Sequence, residues 1–150
     1  MIALILVLST TAASLSDLPS KIPSMMAPWE GCFMVKEIGK DTVRVYGDAQ
    51  CKKPWMPCST FKITNALIAL ETGALKGPDV VIPWDKKPKP IKSWERDHNL
   101  ASAMKVSCVP YFQEVARRVG LKRMTAWLKK LDYGNAEPGK VVDRFWLDGP

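Results

Sequence analysis

The sequence predicts an α+β fold, and three observations support that prediction. An alternating apolar pattern around a Gly-Lys-Asp turn indicates a β-hairpin over residues 31–46. Several later segments carry apolar residues at helical spacing. The chain has 150 residues, 47% of them hydrophobic, which is long enough to bury a core and too apolar for a disordered chain. No apolar run reaches the roughly 18 residues that a membrane-spanning helix needs.

The N-terminal residues have the composition of an export signal. The first 16 residues carry no charged side chain, and an apolar run from Ile2 to Leu8 precedes small residues that include Ala12 and Ala13. This pattern predicts a secretory signal peptide over residues 1–16, followed by a linker over 17–28 and one domain over 29–150. The alternative is a buried N-terminal helix.

The four cysteines would lie in an oxidising compartment after export. Cys51 and Cys58 are close enough to close a small loop, while a bond from Cys32 to Cys51 would tie the hairpin, so the pairing stays open. Cys108 lies in a helical region and is expected to be free. Zinc is disfavoured because the one histidine, His98, has no cysteine at ligand spacing. We expect His98 to be exposed or to cap a helix.

The remaining elements follow in chain order. A loop with two prolines over residues 52–58 leads into a helix over 59–73, which Gly73 ends. A second irregular stretch with four prolines covers residues 77–92. Helices are then predicted over 100–106, from Pro110 to Val119 with Gly120 as the stop, and from Leu121 to Leu131. The predicted apolar stripe of the 59–73 helix consists of Phe61, Ile63, Ala66, Leu67 and Leu70.

The basic residues are not grouped along the sequence as a nucleic-acid binding site would require. The chain carries 22 Lys and Arg against 15 Asp and Glu, a net charge of +7. Its densest basic run, residues 86–92, is interrupted by Pro88 and Pro90, which is typical of an exposed loop. A solvated surface is therefore favoured over nucleic-acid binding. A basic interaction protein without chemistry remains the least favoured alternative, and salt-sensitive retention on DNA would support it.

A Ser-x-x-Lys element at Ser59 and Lys62 is the main candidate for chemistry. Residues three apart on a helix share a face, so the lysine amine can lie beside the serine hydroxyl and remove its proton. The helix N-terminus would add free N–H groups suited to an oxyanion. Ser102 and Lys105 have the same spacing, but we expect them inside a helix with no cap before them.

Four motifs follow one another along the chain, at residues 57–73, Ser107-Cys108-Val109, Tyr133-Gly134-Asn135 and 145–150, and in this order they resemble the class D β-lactamases, the oxacillinase family. The segment over residues 57–73 resembles the active-site helix of that family, and Ser107-Cys108-Val109 resembles its Ser-x-Val element. Tyr133-Gly134-Asn135 and the Phe-Trp-Leu-Asp-Gly-Pro segment over 145–150 match two further elements in the family's order. The similarity covers roughly residues 29 to 150. It implies an αβα sandwich of the serine β-lactamase and penicillin-binding transpeptidase type, exported to the bacterial periplasm.

The resemblance implies a cycle of serine acylation and deacylation. Ser59 would attack the β-lactam carbonyl, and Lys62 would be the general base, N-carboxylated by carbon dioxide without any metal. Burial favours the neutral amine that this modification needs, with Phe61 and Val109 as wall residues. Ser107 would relay a proton to the leaving nitrogen. Trp146 would hold the carboxylate through its indole N–H, and Tyr133, Asn135 and Val109 would contact the substrate.

Each of these residues also has a purely structural interpretation. Ser59 could serve as a helix N-cap, Lys62 could be an ordinary surface lysine, and Trp146 could fill the core. Val109 could serve only in packing. Tyr133 and Asn135 also fit a helix-terminating turn, and both interpretations can hold together.

One element of the family is missing from the sequence. No Lys-Thr-Gly or Lys-Ser-Gly tripeptide, which in the family lies on a later strand, occurs here; the nearest string is Glu71-Thr72-Gly73. We therefore expect a fragment without the C-terminal sheet strands, a hairpin with an open edge, and weak or no turnover. The alternative from another class is a non-hydrolytic penicillin-binding sensor domain that regulates β-lactamase expression. No partner other than a β-lactam is predicted: no nucleic acid, and no membrane after signal removal.

Overall fold

The first part of the chain is built around the predicted β-hairpin. The computed structural model describes residues 18–27 and 29–149, and the chain divides into two units between Trp55 and Met56. In the first unit, strands β1 (Phe33–Lys36) and β2 (Val43–Tyr46) pair antiparallel, with Phe33 opposite Tyr46. The hairpin is therefore confirmed. The predicted signal peptide, residues 1–16, lies outside the described residues.

The segment expected to be a linker contains a helix, α1 (Leu18–Met26). Ile22 and Met26 lie one turn apart and are half-buried, which is the spacing of a helix face. Pro23 between them argues against a helix, so the sequence did not predict one here. A short helix α2 (Asp48–Cys51) follows the hairpin. Its Cys51 forms a disulfide with Cys32, which selects one of the two pairings left open by the sequence.

The second unit is helical. Helix α3 starts after a 3₁₀ turn at Cys58–Thr60, and a second 3₁₀ turn, Lys92–Trp94, lies in the proline-rich loop. Gly120 separates α5 from α6 at a φ of 79°, in the region where glycine is favoured, as predicted for a stop. The helices are α3 (Phe61–Glu71), α4 (Leu100–Lys105), α5 (Val109–Val119), α6 (Leu121–Lys130) and α7 (Phe145–Asp148).

The core of this unit lies between α3, α5 and α6. Helix α3 packs along α5, and α5 packs against α6. Phe61 of α3 is fully buried and makes edge contacts with Phe145 and Tyr133, with ring centroids 4.8 and 5.7 Å apart. The start of α3 is therefore held by aromatic rings from the C-terminal part of the chain. Other buried core residues are Ile68, Leu75, Phe112, Val115, Val119, Met124, Leu128 and Trp146.

The predicted apolar stripe of α3 is wrong in part. Phe61 and Ala66 are buried as expected, but Ile63 and Leu67 are 50% and 56% exposed. The face that enters the core is instead extended by Ile68 and Ala69. The sequence could not separate these faces because the helix is apolar on nearly every side.

Two expectations about the segment before α4 are also wrong. His98 is buried rather than exposed, because its backbone pairs with Ile82 and its ring nitrogens contact Ser102 Oγ and Ser93 O. Helix α4 does have a cap: Asn99 accepts the Ser102 N–H, and Ser102 Oγ accepts the Asn99 N–H. The second Ser-x-x-Lys element therefore has its serine engaged in a capping box.

The described residues, 18–27 and 29–149, contain one sheet, the two-stranded hairpin. No helix among them has both the length and the apolar character needed to cross a membrane. The helix-rich architecture with a small sheet agrees with the predicted α+β class.

Candidate active site

Two serines and a lysine, distant in sequence, meet at the N-terminus of α3. The Lys62 amine donates to Ser59 Oγ over 2.6 Å and to Ser107 Oγ over 3.0 Å. Ser107 Oγ also lies 3.4 Å from Ser59 Oγ. Ser59 is exposed, so its hydroxyl is open to a ligand from outside. Hydrogen bonds thus join three of the four residues predicted to be catalytic, and the fourth, Trp146, packs beside the lysine.

The local backbone explains how these side chains are presented. Ser59 lies in the 3₁₀ turn before α3, one turn ahead of Lys62, so the two share a face. Ser107 lies in the tight link between α4 and α5 with a φ of 51°, and Cys58 has a φ of 48°. Non-glycine residues rarely adopt this conformation, so backbone strain occurs at Ser107 itself and at Cys58, the residue before Ser59.

The 3₁₀ turn leaves fewer free donors than the sequence predicted. The Thr60 N–H donates to Pro57 O, and the Phe61 N–H donates to Cys58 O. These bonds occupy two of the N–H groups that a regular helix start would offer to an oxyanion.

Lys62 is in an unusual environment for a lysine. It is 1% exposed, and its amine lies 5.2 Å from the Trp146 ring centroid and 6.0 Å from that of Phe112. Burial lowers the pKa of the Lys62 amine, against a smaller opposing effect from the Cys108 and Cys58 thiols. The neutral amine, which can accept a proton, is therefore more accessible here than in an ordinary lysine.

Trp146 packs beside this lysine and carries an unused donor. The side chain is fully buried on α7, and its Nε1–H finds no hydrogen-bond partner among the described residues. A buried indole N–H normally has a partner, since an unsatisfied donor costs about 1–3 kcal/mol. The position therefore suits an acceptor bound near the Lys62 amine. A core-filling role would account for the burial but not for the unpaired donor.

The three residues predicted to bind substrate differ in their burial and contacts. Tyr133 is half-buried against Phe61, and burial raises the pKa of its phenol. Val109 is the first residue of α5 and packs partly against the core. Asn135 lies in an exposed turn, where its Oδ1 accepts the Glu137 N–H. The structure therefore shows a packing role for Val109 and a turn role for Asn135.

Two residues near the site differ from the sequence predictions: Asn65 was not predicted to take part, and Cys108 was expected within a helix. Asn65, one turn after Lys62, is fully buried and donates to Phe112 O over 2.9 Å, which ties α3 to α5. A polar amide within an apolar helix, three residues from the lysine, could have indicated this. Cys108 is free, as predicted, but it precedes α5 rather than lying in a helix, and burial raises its thiol pKa.

Comparison with known proteins shows the family of this chain. Residues 32–150 match the penicillin binding protein transpeptidase domain. β-Lactamase OXA-10 of Pseudomonas aeruginosa is 50% identical over 119 residues, which are 79% of this chain and 45% of that protein. The solved structure of FUS-1 (OXA-85), a class D β-lactamase from Fusobacterium nucleatum subsp. polymorphum, superposes with a TM-score of 0.81 at 37% identity. That superposition covers 89% of this chain and 55% of that one.

A regulatory protein also matches, at lower identity. BlaR1 of Bacillus licheniformis is 34% identical over 119 residues, which are 79% of this chain and 20% of that protein. The chain spans about half the length of the β-lactamases it matches. The ordered motifs, the fold of the helical unit and these similarities lead to one conclusion: the chain belongs to the penicillin-binding transpeptidase domain family and, within it, to the class D β-lactamases.

Proposed function

We propose that this chain carries the acylation machinery of a β-lactamase that hydrolyses β-lactam antibiotics through a serine acyl-enzyme, an activity that confers antibiotic resistance. The observation that supports it most directly is the buried Lys62 amine, 2.6 Å from the exposed Ser59 hydroxyl. A base within hydrogen-bond reach of a hydroxyl is the arrangement that activates a serine nucleophile.

Acylation follows from the positions of the two side chains. The neutral Lys62 amine accepts the Ser59 proton as Oγ attacks the β-lactam carbonyl. Burial favours that neutral form, because it lowers the amine pKa. General base catalysis of this kind contributes about 10²–10⁴-fold to the rate.

Ser107 is suited to return the proton. Its hydroxyl can donate and accept, and its Oγ lies within 3.0 Å of Lys62 Nζ and 3.4 Å of Ser59 Oγ. A proton taken from Ser59 can pass through Ser107 to the leaving nitrogen when the lactam C–N bond breaks. Tyr133, Asn135 and Val109 would contact the substrate around this opening.

Carbon dioxide fits this site as a modification of Lys62. Carboxylation needs a neutral amine, which burial favours, and a donor for the new carboxylate, which the unpaired Trp146 Nε1–H supplies. Once attached, the carboxylate would replace the amine as the base that accepts the Ser59 proton, with an anionic oxygen in place of the neutral nitrogen. Ser59 and Ser107 would remain the hydroxyls between which protons move.

The proposal includes export and a reduced activity of the 150-residue chain by itself. The Cys32–Cys51 disulfide is typical of proteins in an oxidising compartment such as the periplasm. Since the chain spans about half the length of the relatives it matches, we expect weak or no turnover without further substrate-binding groups.

The test is acylation followed by mass spectrometry. Benzylpenicillin added to the chain in bicarbonate buffer should give an adduct on Ser59, which Ser59→Ala abolishes and Ser102→Ala leaves intact. An adduct on another residue, or none at concentrations that saturate OXA-10, would contradict the proposal. Robust nitrocefin hydrolysis by the chain alone would contradict only the reduced activity.

A second candidate is a non-hydrolytic sensor domain, favoured by the similarity to the regulatory protein BlaR1. A sensor stays acylated, whereas an enzyme releases the product. After excess benzylpenicillin is removed, an adduct that decays within minutes would favour the enzyme, and one that persists for hours would favour the sensor. Added bicarbonate should speed the decay only in the enzyme.

A further inference from the structure

A cavity of about 280 Å³ lies between residues 82–98 and helix α5. This volume is near the lower end of the range for small-molecule sites, about 300–1,000 Å³, so the cavity suits a ligand of one or two rings. Of the described residues that line it, none is Ser59, Lys62 or Ser107, although Cys108, which follows Ser107, is among them. The cavity is therefore separate from the candidate active site.

Aromatic rings held in fixed positions form much of the lining. Trp84, Trp94 and Tyr111 all line the cavity. The Trp84 indole N–H donates to Lys87 O over 2.8 Å, and the Trp94 indole N–H donates to Val106 O over 3.0 Å. Because backbone carbonyls already engage both donors, the rings are preorganised and offer a ligand apolar ring surface rather than N–H groups. A flat aromatic ligand is best suited to such surfaces.

The charged groups of the lining leave one cation unbalanced. Three of the four cations pair with carboxylates: Lys89 with Asp85, Arg117 with Glu114 and Asp143, and Arg118 with Glu114. The fourth cation, Arg96, is exposed, and its guanidinium forms no ion pair or hydrogen bond with a described residue. Four cations against three carboxylates leave 4 − 3 = +1. A guanidinium binds a carboxylate through two parallel N–H donors, so Arg96 is suited to one carboxylate of a ligand.

We infer that this cavity is a binding site for a small aromatic monocarboxylate, whose ring lies against Trp84 and Trp94 and whose carboxylate pairs with Arg96. A neutral aromatic compound would forgo the ion pair. The second charge of a dianion would meet Asp85 and Glu114 without a further unpaired cation to balance it. The site does not depend on the proposed function, because Ser59, Lys62 and Ser107 do not line it.

The experiment titrates 2-naphthoate into the ¹⁵N-labelled 150-residue chain at neutral pH. Binding is followed by the indole N–H signals in ¹H–¹⁵N spectra, which report on the tryptophans directly. We expect the Trp84 and Trp94 signals to shift together, with a dissociation constant of about 0.1–1 mM for a ligand of this size. The neutral analogue 2-naphthamide should bind at least about fivefold more weakly, since it lacks the charge that pairs with Arg96.

Two pairs of variants test the two contacts. Arg96→Gln should raise the dissociation constant by about fivefold or more. Lys122→Gln is its control, because Lys122 is an exposed cation outside the cavity lining and the change in net charge is the same. Trp84→Leu should also raise the constant by about fivefold or more.

The control for the ring is Trp127→Leu. Trp84 and Trp127 are both half-buried, and each has a lysine amine over its ring, Lys86 at 5.1 Å and Lys130 at 4.2 Å. Only Trp84 of this pair lines the cavity. Both controls should change the dissociation constant by less than about twofold, and circular dichroism checks that all four variants are folded.

The location of the ligand is tested with Ser59→Ala and with chain treated beforehand with benzylpenicillin. Binding of 2-naphthoate should be unchanged in both, because the cavity is separate from Ser59. Loss of binding in either would place the ligand at the active site and overturn the inference. No binding at about 5 mM, equal binding of 2-naphthamide, or wild-type binding by Arg96→Gln would also overturn it.

Discussion

Replacing Lys62 by methionine should remove a pH-dependent cost that the native fold carries. Lys62 is 1% exposed, and burial lowers its amine pKa from the ordinary value of 10.5. Between the lowered native pKa and 10.5, the unfolded chain binds a proton that the folded chain does not. The free energy of unfolding therefore rises with pH across that window, with a slope of up to about 1.4 kcal/mol per pH unit.

Methionine has a similar volume and no charge, so Lys62→Met removes this contribution at every pH. The variant also loses the hydrogen bonds from the amine to Ser59 and Ser107, each with a net value of about 0.5–1.5 kcal/mol. As the pH approaches 10.5, most of the cost of the buried amine disappears, and we expect the variant to become less stable than the wild type, by up to about 1–3 kcal/mol. Towards neutral pH this difference should shrink or reverse, because only the wild type then bears the cost of the buried amine.

The assay is urea unfolding of both proteins at several pH values from 7 to 10.5, and the measured quantity is the difference between them. The buried phenols, whose pKa values are raised, occur in both proteins and cancel in that difference. A difference that does not change with pH would refute the argument that burial lowers the Lys62 pKa. In the same variant, acylation of Ser59 should fall by about 10²–10⁴-fold, and wild-type acylation rates in Lys62→Met would refute its role as base.

Three further predictions concern other parts of the chain. Trp146→Phe should change the free energy of unfolding by less than about 2 kcal/mol, because the lost ring volume is offset by removal of an unpaired donor. The same variant should reduce the Lys62 carbamate signal in ¹³C-bicarbonate NMR about tenfold or more. An undiminished signal would count against a contact between the indole N–H and the carbamate. Replacing both Cys32 and Cys51 by serine should destabilise the hairpin unit by about 3 kcal/mol, since the disulfide closes a loop with a sequence separation of 19. The measurement is the rate at which a protease cleaves this unit, which should rise in the double variant. Cleavage at the wild-type rate would contradict the prediction. Tyr111 should ionise at a pKa of about 12 because its phenol is buried. Ultraviolet titration at 295 nm should therefore show an ionisation step at high pH that Tyr111→Phe removes. If the step is unchanged in Tyr111→Phe, it belongs to another tyrosine.

Much of the helical unit could be predicted from the chain because its boundaries depend on local chemistry. Gly120 ends α5 and Pro110 lies in its first turn, as expected. The hairpin was likewise predictable from alternation and its turn. The helix at residues 18–26 was missed because Pro23 lies inside it, where a proline removes a helical hydrogen bond.

The candidate site was predictable in its residues and only partly in its geometry. The spacing of Ser59 and Lys62 requires a shared helix face, but Ser107 is 45 residues from Lys62, and no local rule brings them together. Its place in the site was implied by resemblance to a family. The burial of His98 was not predictable, because it depends on backbone pairing with Ile82 across the proline-rich loop.

The hairpin, the longer helices α3, α5 and α6, the Ser-x-x-Lys pair and the family could be recognised in the chain, because turns, helix stops and short motifs act over a few neighbouring residues. Only the tertiary structure decided which side of α3 enters the core, since an apolar helix has no polar face to distinguish inside from outside. Tertiary packing also decided the protonation preference of Lys62. A lysine three residues after a serine has no reason for a lowered pKa until aromatic rings from α5 and α7 exclude water from its amine.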